Sequence, residues 1–403
     1  MSAGGVLDGI GRGAADGEDL GRALDEILAN RTTRVLALGE PTHGVKAFPV
    51  LRNDLLEQLV KRGFRSVALE IDLFAAEAVD DYVRGNAADL DEVMESGFSH
   101  GFGRIPGNRE LVAWLREYNT GKAAGARVRF YGFDAPTETG AAPSPRWALI
   151  AVRDFLPAAL RPQSATELDE LLSTDDEWTN PAAMYDPGAS IGNSPRVSAL
   201  RIVADDLASA LRRAAPSLSS GDPAGYARAE THARAAKGVL RYHAAMARTA
   251  PDRVGMLMSL RTEMMADNLL AITAKEQHRG PTLVFAHNAH LRRGQSTLSF
   301  GEHEATWASA GSLVALSLGD SYIFVATDGS PSSAVGTLQD AMASATDRRA
   351  LFPAAGLRAA LPADISTDEP VVRGHIPLTA ADLDAADAVV FITDTDGKQH
   401  QFW

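Results

Sequence analysis

Short runs rich in β-branched and aliphatic residues, each ending in polar ones, recur along the chain at positions 35–38, 66–71, 128–133, 282–286, 313–318, 322–326 and 388–392. Mostly apolar runs of this length predict strands buried on both faces, as in a parallel sheet covered by helices. Between the first two lies PVLRNDLLEQLVKRGF, where Val50, Leu51, Leu55, Leu56, Leu59 and Val60 fall at helical spacing before Gly63. Residues 35–71 therefore predict a strand–helix–strand unit with parallel strands and a right-handed connection.

The pattern changes in the middle. From about 142 to 265 no strand-like run occurs, and Ala- and Arg-rich stretches at helical period are divided by Pro157, Pro162, Pro181, Pro187, Pro195, Pro216 and Pro223. Turn-forming residues concentrate at 173–194, which predicts a long loop. The expected fold class is α/β: a mostly parallel central sheet flanked by helices and interrupted by an all-helical insertion domain. Residues 1–141 and 266–403 would form the sheet domain, and 142–265 the insertion.

Composition narrows the chemistry. A net charge of -13 over 403 residues argues against nucleic acid as a partner. Cysteine is absent, which removes disulfides, thiolate metal sites and cysteine nucleophiles together and fits a reducing, cytoplasmic setting. No basic start precedes an apolar stretch, and no run of about 18 apolar residues occurs, so neither a leader nor a membrane span is expected. Six of the 39 basic residues are Lys, and the Ala- and Arg-rich remainder fits a high-GC genome such as an actinobacterium's.

Ligands of open α/β sheets sit beyond the carboxyl ends of the strands, so the residues that follow each strand matter most. LALGEPTHG places Glu40 and His43 there, VALEID places Glu70 and Asp72, FYGFD places Asp134, and LVFAHNAH places His287, Asn288 and His290. Four strands thus direct carboxylates and imidazoles toward one rim. Histidine titrates near neutrality, and a neighbouring carboxylate fixes its tautomer, so the set can perform general acid/base chemistry. The same residue types can ligate a divalent metal, although no HExxH spacing occurs, and spacing does not choose between the two.

Three other motifs weigh less. Residues 188–192 match GxSxG, but DEWTNPAAMYDP precedes them in place of a strand, so the context of a nucleophile elbow is missing. The loop at Gly101 and Gly103 lacks a preceding strand and a following GK[ST]; it is expected to lie near the site, with His100 and Arg104 as substrate contacts. His232 and His243 stand about three helical turns apart on one face, and His243 is a candidate for lining the pocket.

LALGEPTHGVKAFPVLRNDLLEQLVKRGFRSVALEID resembles the opening of the erythromycin esterase family, with Gly39, Glu40, Thr42, His43, Gly44, Phe48, Arg52 and Glu70 on the family pattern. AAEAVDDYVRG, ELVAWLREYN, FYGFD, SLRTEMMADNLLAI, FAHNAHL and AVVFITD extend the similarity over nearly the whole chain, most weakly across the helical middle. The resemblance implies a hydrolase that opens the ester or lactone of a bulky natural product such as a macrolide with an activated water. It implies His43 as general base, Glu70 and His287 or His290 completing the site, Glu40 and Arg52 in support, and no metal or other cofactor. Ala47 replaces a Glu common in the family, and GFGRIPGN lacks its tryptophans; both departures fall on the predicted rim, where they bear on substrate choice. Two other functions use the same inventory. One is a biosynthetic enzyme whose His base drives elimination or cyclisation; the other is a protein that sequesters a natural product.

Overall fold

The structure is a computed structural model that describes residues 6–7, 9–137, 142–300 and 303–402. Its strands are β1 (Arg12–Gly13), β2 (Val35–Glu40), β3 (Ser66–Asp72), β4 (Arg129–Asp134), β5 (Thr282–His287), β6 (Gln295–Phe300), β7 (His303–Ala308), β8 (Tyr322–Gly329), β9 (Arg349–Pro353) and β10 (Ala388–Ile392). Eight of these form one sheet in the order β1-β9-β10-β8-β2-β5-β3-β4, while β6 and β7 make a separate ribbon. The run β10-β8-β2-β5-β3 is parallel throughout, and β9 is antiparallel to both of its neighbours. The sheet is thus mostly parallel, as its apolar runs predict.

Every residue of β2, β5, β8 and β10 is buried. Helix Ala47–Lys61 turns Phe48, Leu51, Leu55, Leu56 and Leu59 into the same core that takes Leu36 and Leu38 of β2 and Val67 and Leu69 of β3. Strands β2 and β3 are both parallel to β5, which lies between them. That interleaving brings the carboxyl ends of three strands side by side.

One expected strand is a helix. Residues 313–318 lie in helix Ala310–Leu318, whose first turn is capped by Ser309 Oγ accepting from the Ser312 amide. Leu316 is 85% exposed there, which a covered central strand would not allow. Conversely β9, whose RALFP sequence is too short to stand out, occupies a sheet position that the apolar pattern did not mark.

The chain divides into two compact units: residues 1–133, 268–297 and 308–403, and residues 134–267 with 298–307. The second is built chiefly from helices Arg146–Phe155, Pro195–Gly221 and Pro223–Met246 and the first part of Arg253–Glu276. Its own apolar core gathers Leu149, Trp178, Leu200, Leu207 and Leu240. Residues 173–194 are a succession of short 3-10 turns: Asp175–Glu177, Pro181–Met184, Pro187–Ala189 and Ile191–Asn193. Among the described residues no helix is long and apolar enough to cross a membrane.

Candidate active site

Strand β2 ends on Glu40, and the turn that follows folds His43 back over it. Glu40 is 4% exposed, and its Oε1 lies 2.8 Å from His43 Nδ1. With the carboxylate accepting the Nδ1 proton, the imidazole is held as the tautomer whose Nε2 carries a lone pair. That Nε2 lies 3.8 Å from Glu70 Oε1, at the end of β3. Burial pushes the Glu40 carboxyl above its ordinary range, and the His43 hydrogen bond opposes that rise.

Arg52 lies below this pair, fully buried on helix Ala47–Lys61. Its donors go to neutral acceptors: Nη1 to Asn108 Oδ1 at 2.7 Å, Nη2 to the Gly107 carbonyl at 3.0 Å and to Asn53 Oδ1 at 2.8 Å. Burial lowers its pKa to about 9, so the guanidinium remains cationic at neutral pH and its charge favours an ionised Glu40. A cavity of about 20 Å³ lies among Glu40, Glu70, Arg52, Phe102 and Asn108, room for one water. Glu40 Oε2 is buried without a hydrogen-bond partner among the described residues.

Glu70 organises the other side. Its Oε2 accepts from the His287 amide at 2.9 Å, and its Oε1 lies 3.2 Å from His290 Nε2. The two histidines of the HNAH segment differ in what remains available. His287 Nε2 donates to the Pro41 carbonyl at 2.9 Å, and its Nδ1 accepts from the Ala289 amide at 3.1 Å, so both ring nitrogens are committed to backbone. Burial, reinforced by the nearby His43, pushes the His287 pKa down to about 3. His290 instead turns Nε2 toward the carboxylate oxygen that His43 also faces.

Asn288 locks this edge. Its Nδ2 donates to the Thr327 carbonyl at 2.8 Å, its Oδ1 accepts from the Thr327 amide at 3.3 Å, and Thr327 Oγ1 donates to the Gly39 carbonyl at 2.7 Å. A Cβ at Gly39 would lie 2.0 Å from Asn288 Oδ1, which is why glycine precedes Glu40. Next to Thr327, the fully buried Asp328 receives His375 Nε2 at 3.0 Å and the Leu378 amide at 2.9 Å. Between those two anchors the Ile376 amide donates to the Pro41 carbonyl at 2.9 Å.

Of the residues that sequence marks, Glu40, His43, Glu70, His287 and His290 are brought together in the first unit, with Arg52 beneath them as an electrostatic support rather than an exposed contact. Asp72 Oδ1 caps the turn after β3, accepting from the Phe74 amide at 2.6 Å. His100 adopts a left-handed backbone (φ 57°) and lays its ring 5.5 Å from Phe102. Arg104 is exposed, with Nη1 3.5 Å from the Phe402 carbonyl. Asp134 and His243 belong to the second unit. Asp134 is fully buried and paired with Arg261 at 2.9 and 2.6 Å. His243 is 1% exposed, its Nε2 on the Pro143 carbonyl at 2.9 Å and its ring against Trp178. These contacts hold both side chains within that unit. Ser190 of the GxSxG match bonds the His243 carbonyl and the Gly192 amide in a 3-10 turn, with no strand before it.

Sequence reasoning missed Phe102, whose ring lies 4.8 Å from the His43 imidazole, and Phe402, at 6.3 Å and perpendicular to it. Asp328 and His375 were missed as well, although Asp328 follows a strand run in the position that singled out Glu70. Among the described residues no group of three or more His, Cys, Asp or Glu side chains is arranged to hold a metal ion.

A family profile described as Erythromycin esterase matches residues 59–353. Erythromycin esterase type II from Escherichia coli is 33% identical over 126 residues, which is 31% of this chain and 28% of that protein. Solved structures share the fold at low identity. A Bacillus cereus protein superposes with a TM-score of 0.71 at 16% identity, covering 97% of this chain and 96% of its own. A mutant of erythromycin esterase EreC in its open conformation gives 0.69 at 17%, covering 95% of each chain. A succinoglycan biosynthesis protein gives 0.66 at 15%, covering 98% and 96%.

Proposed function

This chain belongs to the erythromycin esterase family, and on that premise we propose that it hydrolyses an ester or lactone of a bulky natural product, a macrolide being the first candidate, with a water activated by His43. The observation that carries this reading is the Glu40–His43–Glu70 relay, in which a buried carboxylate holds Nδ1 and leaves Nε2 directed at a second carboxylate. Such a base takes the proton of water as the oxygen attacks the carbonyl carbon, and the resulting imidazolium is stabilised by Glu40. Glu70 orients the water. As the tetrahedral intermediate collapses, the carbon–oxygen bond to the alcohol breaks and that oxygen takes back the proton held by His43, while His290, which shares Glu70 with the base, faces the developing charge. His287 holds the turn at Pro41 and does not exchange protons near neutral pH.

The donor set favours metal-free chemistry. Both His287 nitrogens are engaged by backbone, and one oxygen each of Glu40 and Glu70 is taken by a hydrogen bond inside the cluster. The test is mass spectrometry after incubation with a macrolide panel and a host metabolite extract. Hydrolysis adds one water to the substrate. Loss of one water would assign the His base to elimination, an isomer of equal mass would indicate cyclisation, and tight binding of an unchanged ligand would indicate sequestration.

A further inference from the structure

After β10 the chain returns to the catalytic turn, and residues 399–402 lie along it. Gln399 forms an antiparallel bridge with Val45, and the His400 amide donates to the Gly44 carbonyl at 2.8 Å. The Gln399 side chain reaches further: Nε2 donates to the His43 carbonyl at 2.9 Å and to the Arg373 carbonyl at 3.0 Å. The approach is so close that only glycine fits opposite. Gly44 has φ 82°, and a Cβ there would lie 2.7 Å from the His400 carbonyl oxygen and 3.1 Å from the Phe402 ring. Phe402 then stands edge-on to Phe102 at 5.2 Å and 82°, and edge-on to His43 at 6.3 Å and 90°.

We propose that Gln399 and Phe402 are positioning residues for His43, Gln399 fixing the backbone that carries it and Phe402 closing, with Phe102, an aromatic wall around its imidazole. The inference rests on the reading of His43 as the base. Its physical content is separate: a wall of two rings keeps solvent from the Glu40–His43 hydrogen bond, which a low dielectric strengthens. The His43 side chain is only 23% exposed, and a phenylalanine covers on the order of 150 Å², an area comparable with that of the imidazole side chain itself.

The experiment reads the accessibility of His43 directly. Trypsin releases residues 35–46 as one peptide in which His43 is the sole histidine, so its carbethoxylation by diethylpyrocarbonate can be timed by mass spectrometry in the intact folded protein. In Phe402→Ala the rate at His43 should rise about threefold or more, from the ring area lost, and Phe402→Leu, which keeps an apolar side chain, should restore most of the protection. Gln399→Met, which keeps length and loses the donors, should raise the rate too. It should also lower kcat about ten- to hundredfold with little change in KM, the signature of a displaced base. If Phe402→Ala does not fold, Phe402→Leu and Gln399→Met carry the test. Wild-type carbethoxylation at His43 in the folded variants overturns the inference even if esters are hydrolysed. Faster carbethoxylation with no hydrolysis of any ester upholds the wall and sinks the functional reading instead.

Discussion

His287 separates a titrating from a positioning role, and replacing it with asparagine tests the distinction through stability. In the folded chain its pKa is pushed down to about 3 from 6.5, because the ring is buried and lies beside His43, and the bond to the Pro41 carbonyl only partly opposes that fall. The unfolded chain takes up a proton below pH 6.5 that the folded chain refuses. Stability therefore falls as pH drops through 6.5 and continues to fall to about pH 3, at about 1.4 kcal/mol per pH unit. Between pH 7.5 and pH 5.0 this one residue should remove about 2 kcal/mol. The asparagine side chain would keep an acceptor for the Ala289 amide, since asparagine is a good helix N-cap, and would lose the bond to Pro41, at a cost of about 1–2 kcal/mol.

The two contributions nearly cancel at low pH. His287→Asn should be less stable than wild type by about 1–2 kcal/mol at pH 7.5, and the gap should close or reverse at pH 5.0 as wild type alone incurs the proton penalty. Other titrating groups are common to both proteins and drop out of the difference. The measurement is urea unfolding of both proteins at the two pH values, followed on the sheet-bearing unit. A difference that stays constant between pH 7.5 and 5.0 would show that folded His287 accepts a proton near neutrality. It would then be available as an acid or base, and its assignment to the scaffold would be wrong.

Three further outcomes follow from the same geometry. His43→Gln should keep the wild-type melting temperature within a few degrees while kcat falls by roughly 10² to 10⁴; turnover near wild type in the folded variant would remove His43 from its role. Gly39→Ala drives a Cβ to 2.0 Å from Asn288 Oδ1 and 3.0 Å from the Asn288 Cα; it should destabilise by about 1–3 kcal/mol and depress activity by shifting the adjoining His287–His290 segment, and an unchanged thermal melt would contradict the close approach. Hydrolysis should survive exhaustive EDTA treatment, whereas loss of activity restored by a stoichiometric divalent ion would recast His43 and Glu70 as ligands.

The strands were legible because a parallel sheet covered on both faces demands unbroken apolar runs, and β2, β5 and β8 supply them. The same rule misread 313–318, since a short apolar run carries no period, and the Ser309 cap was the cue that a helix began there. The clustering of Glu40, His43, Glu70, His287 and His290 was legible from topology alone, because neighbouring parallel strands end at one edge. Their roles were not. His287 and His290 look alike in HNAH and differ only in the groups that the fold brings to each ring. Asp134 reads from its strand end like Glu70, yet its partner is Arg261, 127 residues further on, and no local pattern announces that pairing.

The turn after β2 shows why such supports escape a reading of side-chain types. Its carbonyls at Pro41, His43 and Gly44 accept from His287 and Ile376, from Gln399, and from the His400 amide. All of these acceptors are backbone, so the identities of the turn's own residues record none of the partners, Gly44 excepted. The Ile376 amide is delivered by a loop tied at His375 and Leu378 to Asp328, and Asp328 follows directly on Thr327, which bonds Asn288 and Gly39. The ends of β8 and β5 thus hold the turn after β2 from two directions, through His375 on one side and His287 on the other. On the proposed reading of His43 as the base, such support would orient it before substrate arrives, which is what electrostatic preorganisation requires. Disturbing His375, whose Nε2 bonds Asp328 rather than the relay, should therefore weaken that orientation through Ile376 and Pro41. In His375→Ala, kcat should fall about tenfold while KM holds, because a small misplacement of the base is costly. Wild-type kcat in the folded variant would show that the turn keeps its geometry without this second support.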